Sequence, residues 1–381
     1  ENFLLELGLK DEILPALASA HNNLVLKKGK LIPLPRSIFS FIKTPLLSSR
    51  AKLRLLKEPF IPRSSKYESV AEFTKRRLGQ EVLDSMVNPF VSGIHAGDPR
   101  RLSLEHAFPS LYAIESTYGS LLKGFFKKKG KNSFKPKIIS FKGGMQRLPL
   151  RIAEILGEAL HLNAQLISIK KENAQWHLKV NTRAGTLEKA FDKLIISTPV
   201  HSWKNLPLET PIQKEFTPLA QIEYAPITTL SLGFKANQIK EPLNSFGFLV
   251  PEIEDEPILG TLFSSSTFSQ RAPAGYVSLT TFLGGMRQPG LAKKTQKETQ
   301  ALVLQALEKL LGLSGPPVWA HFKSWEKGIP QYTLGFEKFL DALAQIEANQ
   351  PGLHFLGNFR GGTSLAKCIE NALNIDTTIN L

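Results

Sequence analysis

One cysteine, Cys368, stands in 381 residues, so no internal disulfide framework can form and a reducing, cytoplasmic setting is expected. No run approaches the ~18 consecutive apolar residues of a membrane-crossing helix. The eight histidines are scattered, with no i, i+4 pair and no cysteine partner suited to zinc, so no metal site is expected. Gly-x-Ser-x-Gly is missing, which removes the hydrolase elbow, and Ser264-Ser265-Ser266 reads as a polar strand end. Gly-x-Gly-x-x-Gly is missing too. Each carboxylate near a His or Ser is better explained as surface charge, so no catalytic side chain is singled out. Any catalysis would come from an organic cofactor. The chain opens Glu1-Asn2-Phe3-Leu4-Leu5-Glu6-Leu7 without methionine, which reads as the middle of a longer protein.

Charge is the first positive signal. Lys27 to Lys137 holds 23 Lys and Arg against 8 Asp and Glu, which accounts for the whole net charge of +15. A cationic segment on a neutral body points to an anionic partner surface. Within it, Ile38-Phe39-Ser40-Phe41-Ile42-Lys43-Thr44-Pro45-Leu46-Leu47 sets apolar residues beside cations. That mixture favours an anionic membrane interface, with Ile38 to Lys57 as the docking segment, because lipid binding uses both burial and charge. A solvated basic face over a helical core fits equally. No nucleic-acid module accompanies the charge, and no nucleic-acid partner is expected.

Periodicity divides the rest. Glu1 to Leu14 reads as a helix ending at Pro15, and His21 to Leu34 as a hairpin turning at Gly29. Helical patterns run from Pro45 to Leu122, with Ser69 to Leu78 and Leu104 to Tyr118 the clearest and Asn88 to Pro99 a loop between them. Lys127 to Lys137 is a basic linker. From Ile138 strands appear: Ile138–Phe141, then a helix Leu148–Leu160, then Gln165–Lys170, Trp176–Thr182 and Phe191–Ser197. Ile222–Lys235, Gly247–Pro251, Ile258–Ser264 and Tyr276–Gly284 read as an antiparallel sheet from their β-branched and aromatic content. Thr295–Leu311 is an amphipathic helix with Leu302, Ala306, Leu307, Leu310 and Leu311 on one face. Trp325 to Tyr332 reads as a loop before a helix Glu337–Ala348.

The stretch Gly352-Leu353-His354-Phe355-Leu356-Gly357-Asn358-Phe359-Arg360-Gly361-Gly362-Thr363-Ser364-Leu365 organises the end of the chain. A short apolar strand, a turn with three glycines and a helix capped by Thr363 or Ser364 leave N–H groups free for an anion or a polar ring edge. By spacing alone it is equally an ordinary tight strand-to-helix connection.

Several segments together carry a resemblance. Asn88-Pro89-Phe90-Val91-Ser92-Gly93-Ile94-His95-Ala96-Gly97-Asp98-Pro99 is similar to NPFVSGVYAGDP of the protoporphyrinogen oxidase family, and Phe141-Lys142-Gly143-Gly144-Met145-Gln146 with Leu148-Pro149 to its SFKGGLQTLP. Ile329-Pro330-Gln331-Tyr332 and Gly357 to Ile369 resemble its late flavin-contacting motifs. The first segment is specific to that family; the others are shared more loosely with amine oxidases and phytoene desaturases.

The resemblance implies a mixed α/β and α+β fold with an incomplete, Rossmann-like FAD-binding domain. An antiparallel-sheet substrate domain and an inserted helical membrane-associating domain complete it. The implied boundaries are 1–34, a remnant of the FAD and substrate region; 35–137, helical and basic; 138–200 and 326–381, FAD-binding; and 201–325, substrate-binding. It implies FAD as cofactor, a porphyrinogen as substrate and O₂ as acceptor, on the cytoplasmic, inner face of a membrane, with a homodimer left open.

Leu166 falls where the family meets adenine through the backbone, and Trp325 where relatives place a tryptophan near the flavin. Gly357, Asn358, Gly361, Gly362, Thr363 and Ser364 would bracket the pyrophosphate-to-isoalloxazine stretch. A β-carbon on Gly361 or Gly362 would then strike the flavin or force a left-handed backbone, so Gly361→Val, in the completed protein, is expected to lose FAD and oxidase activity while keeping most of the fold. Phe246, Leu249 and Phe282 would line an apolar slot for the tetrapyrrole, with Gly93 letting it approach the backbone. Strand and core packing would give the same pattern at Leu166, Trp325, Phe246, Leu249 and Phe282.

Three cycles of hydride transfer through the flavin to O₂ would convert protoporphyrinogen IX to protoporphyrin IX; coproporphyrinogen III, or the substrate of another flavin amine-oxidase-type enzyme, is the alternative. Asn23 stands where the family commonly has an Arg for the substrate propionate. The family's strand–GxGxxG–helix is expected on about 70 residues upstream, and without it the chain alone is expected to be inactive.

Overall fold

The computed structural model describes residues 2–64, 66–128 and 137–379; the linker expected at Lys127 to Lys137 falls mostly outside them. In chain order the strands begin with β1 (Ile13–Pro15), β2 (Asn23–Lys27), β3 (Lys30–Pro33) and β4 (Ile139–Phe141). Next come β5 (Gln165–Glu172), β6 (Gln175–Thr182), β7 (Gly185–Phe191) and β8 (Leu194–Ile196). The last six are β9 (Tyr224–Lys235), β10 (Gly247–Leu249), β11 (Gly260–Phe263), β12 (Tyr276–Gly284), β13 (Trp319–Pro330) and β14 (Leu353–Phe355). The chain forms two units, Glu1–Pro149 with Ala225–Ile329, and Leu150–Tyr224 with Pro330–Leu381.

The first unit is built on a seven-stranded sheet in the order β13-β9-β12-β11-β10-β2-β3. Its pairs β9–β12, β12–β11 and β11–β10 are antiparallel, whereas β10 runs parallel to β2 with Gly247 opposite Asn23. Alternation along β9 gives each face its character: Leu230, Leu232 and Phe234 are buried, while Thr229 points the other way. The buried face packs on the helix Gln296–Leu311 through Val303, Ala306, Leu307 and Leu310. Thr295 caps that helix reciprocally with Glu298, and Gly312 ends it at φ +60°. Val303, not Leu302, occupies the buried stripe.

Short helices follow the hairpin: Ile38–Lys43, Ser49–Leu55, Val70–Arg77, Pro109–Tyr118 and Leu121–Lys128. They are held by an ion cluster at whose centre Arg77 and Glu58 have no exposed side-chain surface. Arg77 Nη1 donates to Glu58 Oε1 at 3.2 Å, and its Nε to Glu115 Oε1 at 2.7 Å. Glu58 also accepts from Ser120 Oγ at 2.6 Å and from the N–H groups of Leu121 and Leu122, which fastens the N-terminus of Leu121–Lys128.

Four stretches differ from their sequence expectation. Asn88–His95 is a helix rather than a loop: Pro89 sits in the first turn, where no N–H is required, and Val91, Ser92 and His95 are buried. Trp325 to Pro330 belongs to β13, whose side chains from Trp319 to Trp325 alternate between exposed and half-buried. The opening helix covers only Asn2–Glu6, ending at Gly8 (φ +70°), and Ile13–Pro15 pairs with β4 instead. The strand expected at Phe191–Ser197 divides: β7 closes the meander β5-β6-β7, and β8 runs parallel to β14.

In the second unit Trp203, Phe216, Phe355 and Phe359 form an aromatic core, with the Trp203 and Phe355 ring centroids 4.8 Å apart. The helices Glu337–Asn349 and Leu365–Ile379 flank β14 in sequence.

Candidate functional site

On the face of the first unit's sheet away from Gln296–Leu311 lies a cavity of about 660 Å³. Its volume is inside the ~300–1,000 Å³ range of small-molecule sites. Gly93, Phe246, Leu249 and Phe282, the four proposed substrate contacts, all line it, as does Trp325. Asn23, Leu34, Phe90, Ile94, Ile227 and Thr261 share the wall, and no wall residue carries a formal charge. Trp325 is 42% exposed overall, so it is not a buried core tryptophan. At Gly93 the space for a β-carbon is already taken, since it would lie 2.6 Å from Leu249 Cδ2. Glycine there lets the helix Asn88–His95 close on β10.

The wall's polar groups are fixed from behind. Arg287 Nη1 donates to Ser92 Oγ at 3.2 Å and to the Val250 carbonyl at 2.9 Å. Burial pushes the Arg287 pKa down, opposed by the charge of Glu252. His95, one turn from Ser92, is held below its usual range by burial and so is neutral at neutral pH. Nothing in this arrangement provides a general acid or base inside the cavity.

The second unit holds the remaining proposed residues. Gly357, Asn358, Gly361, Gly362, Thr363 and Ser364 form the turn from β14 into Leu365–Ile379, and Ser364 Oγ caps that helix by accepting from the Lys367 N–H at 3.2 Å. Leu166 lies on β5, half-buried opposite Val180, in a different sheet from β14. Three braces shape the turn, and sequence reasoning found none of them. The Tyr332 hydroxyl donates to the Asn358 carbonyl at 2.7 Å and accepts from the Gly362 N–H at 3.1 Å. Asn371 Nδ2 donates to the Arg360 carbonyl at 2.7 Å, and Arg360 pairs with Glu347 at 2.7 Å. Burial raises the Tyr332 pKa, so the phenol stays protonated and can make both bonds.

Among the described residues the N–H groups of Gly361, Thr363 and Ser364 have no acceptor in the chain. This row of donors at a helix start fits the diphosphate or ring edge of a dinucleotide. Among the described residues no group of three His, Cys, Asp or Glu could hold a metal ion.

An uncharged cavity on the sheet of the first unit and, in the second, a glycine turn that opens a helix are each suited to a flavoenzyme. Residues 2–374 match the family model for flavin containing amine oxidoreductases, and the chain belongs to that family. It is an FAD-dependent oxidoreductase. Among its relatives is the mitochondrial protoporphyrinogen oxidase of Nicotiana tabacum, 33% identical over 98% of this chain and 81% of that protein. The coproporphyrinogen III oxidase of Bacillus subtilis (strain 168) is 24% identical, over 91% of this chain and 74% of that protein. A candidate protoporphyrinogen oxidase from Exiguobacterium sp. 255-15, solved by crystallography, shares the fold. Its TM-score is 0.81 at 23% identity, covering 99% of this chain and 84% of that one.

Proposed function

We propose that the protein oxidises protoporphyrinogen IX to protoporphyrin IX, with O₂ as final acceptor, in porphyrin biosynthesis. The observation that carries this reading is the uncharged cavity of about 660 Å³, walled by Phe246, Phe282, Leu249 and Trp325. A flat macrocycle with vinyl and methyl substituents suits such walls. Coproporphyrinogen III, the substrate class named for the Bacillus subtilis relative, carries propionates in place of the two vinyls. Burying a second pair of carboxylates against uncharged walls costs several kcal/mol per ion. The walls therefore favour protoporphyrinogen.

FAD, when bound, would supply the acceptor for one hydride, that is two electrons and a proton, per cycle; with one further proton lost each time, three cycles with three O₂ balance to three H₂O₂. The N–H groups of Gly361, Thr363 and Ser364 would hold it. The chain's own part is to orient the macrocycle and keep water out, since the cavity offers no proton-transfer group. Air oxidation by FAD-loaded protein is the test. Fluorescent porphyrin should form from protoporphyrinogen with matching H₂O₂, at a higher kcat/KM than from coproporphyrinogen. Equal or reversed preference would remove the argument from the walls.

The protein would work on the cytoplasmic, inner face of an anionic membrane. In support, Phe39, Ile42, Leu53 and Leu56 are exposed among the cations of residues 36–57, and Phe60 is 86% exposed. Among the described residues no helix is long and apolar enough to cross a membrane.

A further inference from the structure

We propose that Arg36, which is not part of the cavity wall, is the cation that receives the propionate edge of the substrate and so fixes which edge enters the cavity. The proposal rests on the porphyrinogen reading above. Two propionates stay ionised at neutral pH, and the wall offers them no opposite charge. The counter-charge must then come from the rim.

Arg36 is pinned at one point of that rim. Its Nη1 donates to Asn22 Oδ1 at 3.2 Å, and its backbone N–H donates to Ser40 Oγ at 3.0 Å. The Asn22 carbonyl accepts the Phe246 N–H at 2.7 Å, and the next carbonyl, Asn23, accepts the Leu34 N–H at 2.8 Å. Asn23 lies opposite Gly247 across the β2–β10 pair. Asn23, Leu34, Phe246 and Gly247 are all wall residues, so Arg36, two residues after Leu34 and bonded through its side chain to Asn22, is next to the wall in the chain. One of its five N–H donors is used by Asn22, and among the described residues no carboxylate pairs with it. A guanidinium with free donors matches a carboxylate in a two-point bond.

Arg287 and Lys323 are also placed by their contacts next to wall residues. Arg287 sits behind the wall with Nη1 already given to Ser92 and Val250. Lys323 holds its ammonium 5.7 Å from the centroid of the Trp325 ring, on β13. That strand is at the opposite edge of the sheet from the β2–β3 hairpin. The two rim cations thus predict opposite orientations of the substrate. Arg36 places the propionates at the hairpin and the vinyl edge along the apolar floor.

The test compares protoporphyrinogen IX with its dimethyl ester, which lacks the charges, in FAD-loaded parent, Arg36→Gln and Lys323→Gln. The Arg36 side chain is exposed, so its replacement leaves the packing intact. Losing a charged hydrogen bond of this kind raises KM for the diacid about tenfold or more, with kcat within about twofold. KM for the ester should stay as in the parent, and Arg36→Lys should recover part of the diacid affinity. A diacid-to-ester KM ratio unchanged by Arg36→Gln would overturn the proposal. So would a ratio that collapses in Lys323→Gln instead, or a parent that treats acid and ester alike. If the parent oxidises neither compound, the porphyrinogen reading falls and this proposal with it.

Discussion

Gly361 adopts φ +75°, and a β-carbon on it would lie 2.8 Å from the Asn371 amide. The chain itself therefore requires glycine here, whatever lies on the other side of the turn. A left-handed valine costs about 1–2 kcal/mol before any clash, and the displaced Asn371 would also lose its bond to Arg360. We expect Gly361→Val to melt several degrees below the parent without FAD, and to lose much of the FAD-induced rise as well. Paired thermal melts with and without flavin check this; an apo variant that melts like the parent would contradict the strain argument. To the sequence expectation, FAD lost with most of the fold kept, the structure adds a steric cost that sequence could not show, Asn371 lying on the glycine. The four wall positions Gly93, Phe246, Leu249 and Phe282 were legible through family motifs. Tyr332 and Arg36 were not, for their partners Asn358 and Asn22 lie 26 and 14 residues away and leave no periodic trace.

At the scale of an element, the helix Leu121–Lys128 depends on a residue 63 positions before its start. Glu58 binds its first N–H groups and at the same time faces Arg77 with no exposure to water. Removing one partner of a buried pair costs on the order of 3–5 kcal/mol; Glu115 still faces Arg77, so the lower end applies. Glu58→Gln should lower the unfolding free energy by about that amount, read as a lower urea midpoint at an unchanged slope. A midpoint equal to the parent's would mean that Glu115 alone neutralises Arg77. The same scale shows where pattern reading stops. Proline, serine and glycine in Asn88–His95 look like loop punctuation, yet Pro89 costs nothing in a first turn. In β13 the exposed positions Trp319 and Trp325 are apolar, so the inside-outside alternation that marks a half-buried strand is blurred. Tyr276–Gly284 and Gln296–Leu311, with clean alternation or a cap and a stripe, were read within a residue or two of their ends.

For the whole molecule, the confinement of the net +15 to residues 27–137 leaves the rest neutral and predicts a polarised surface. Vesicles containing anionic phospholipid should sediment the protein at low salt and release much of it at high salt. Replacing Phe39 and Ile42 by serine should weaken binding at both ionic strengths. Equal partition onto neutral and anionic vesicles, insensitive to salt, would contradict the electrostatic part of the proposal. The interleaving of the two units was visible in the sequence only as changes of pattern near Ile138 and Ile222, because neither unit is continuous in the chain. That discontinuity governs how the protein is made. Asn22 bonds to a residue 222 positions later and Lys171 to one 180 positions later. As the chain leaves the ribosome, β2 waits for β10 and β8 waits for β14, so the hairpin and the meander are synthesised long before they have a neighbour. Long-range pairing of this kind makes folding slow and leaves strand edges exposed meanwhile. A nascent chain therefore carries the unpaired edges of β2 and β8 until β10 and β14 have been synthesised.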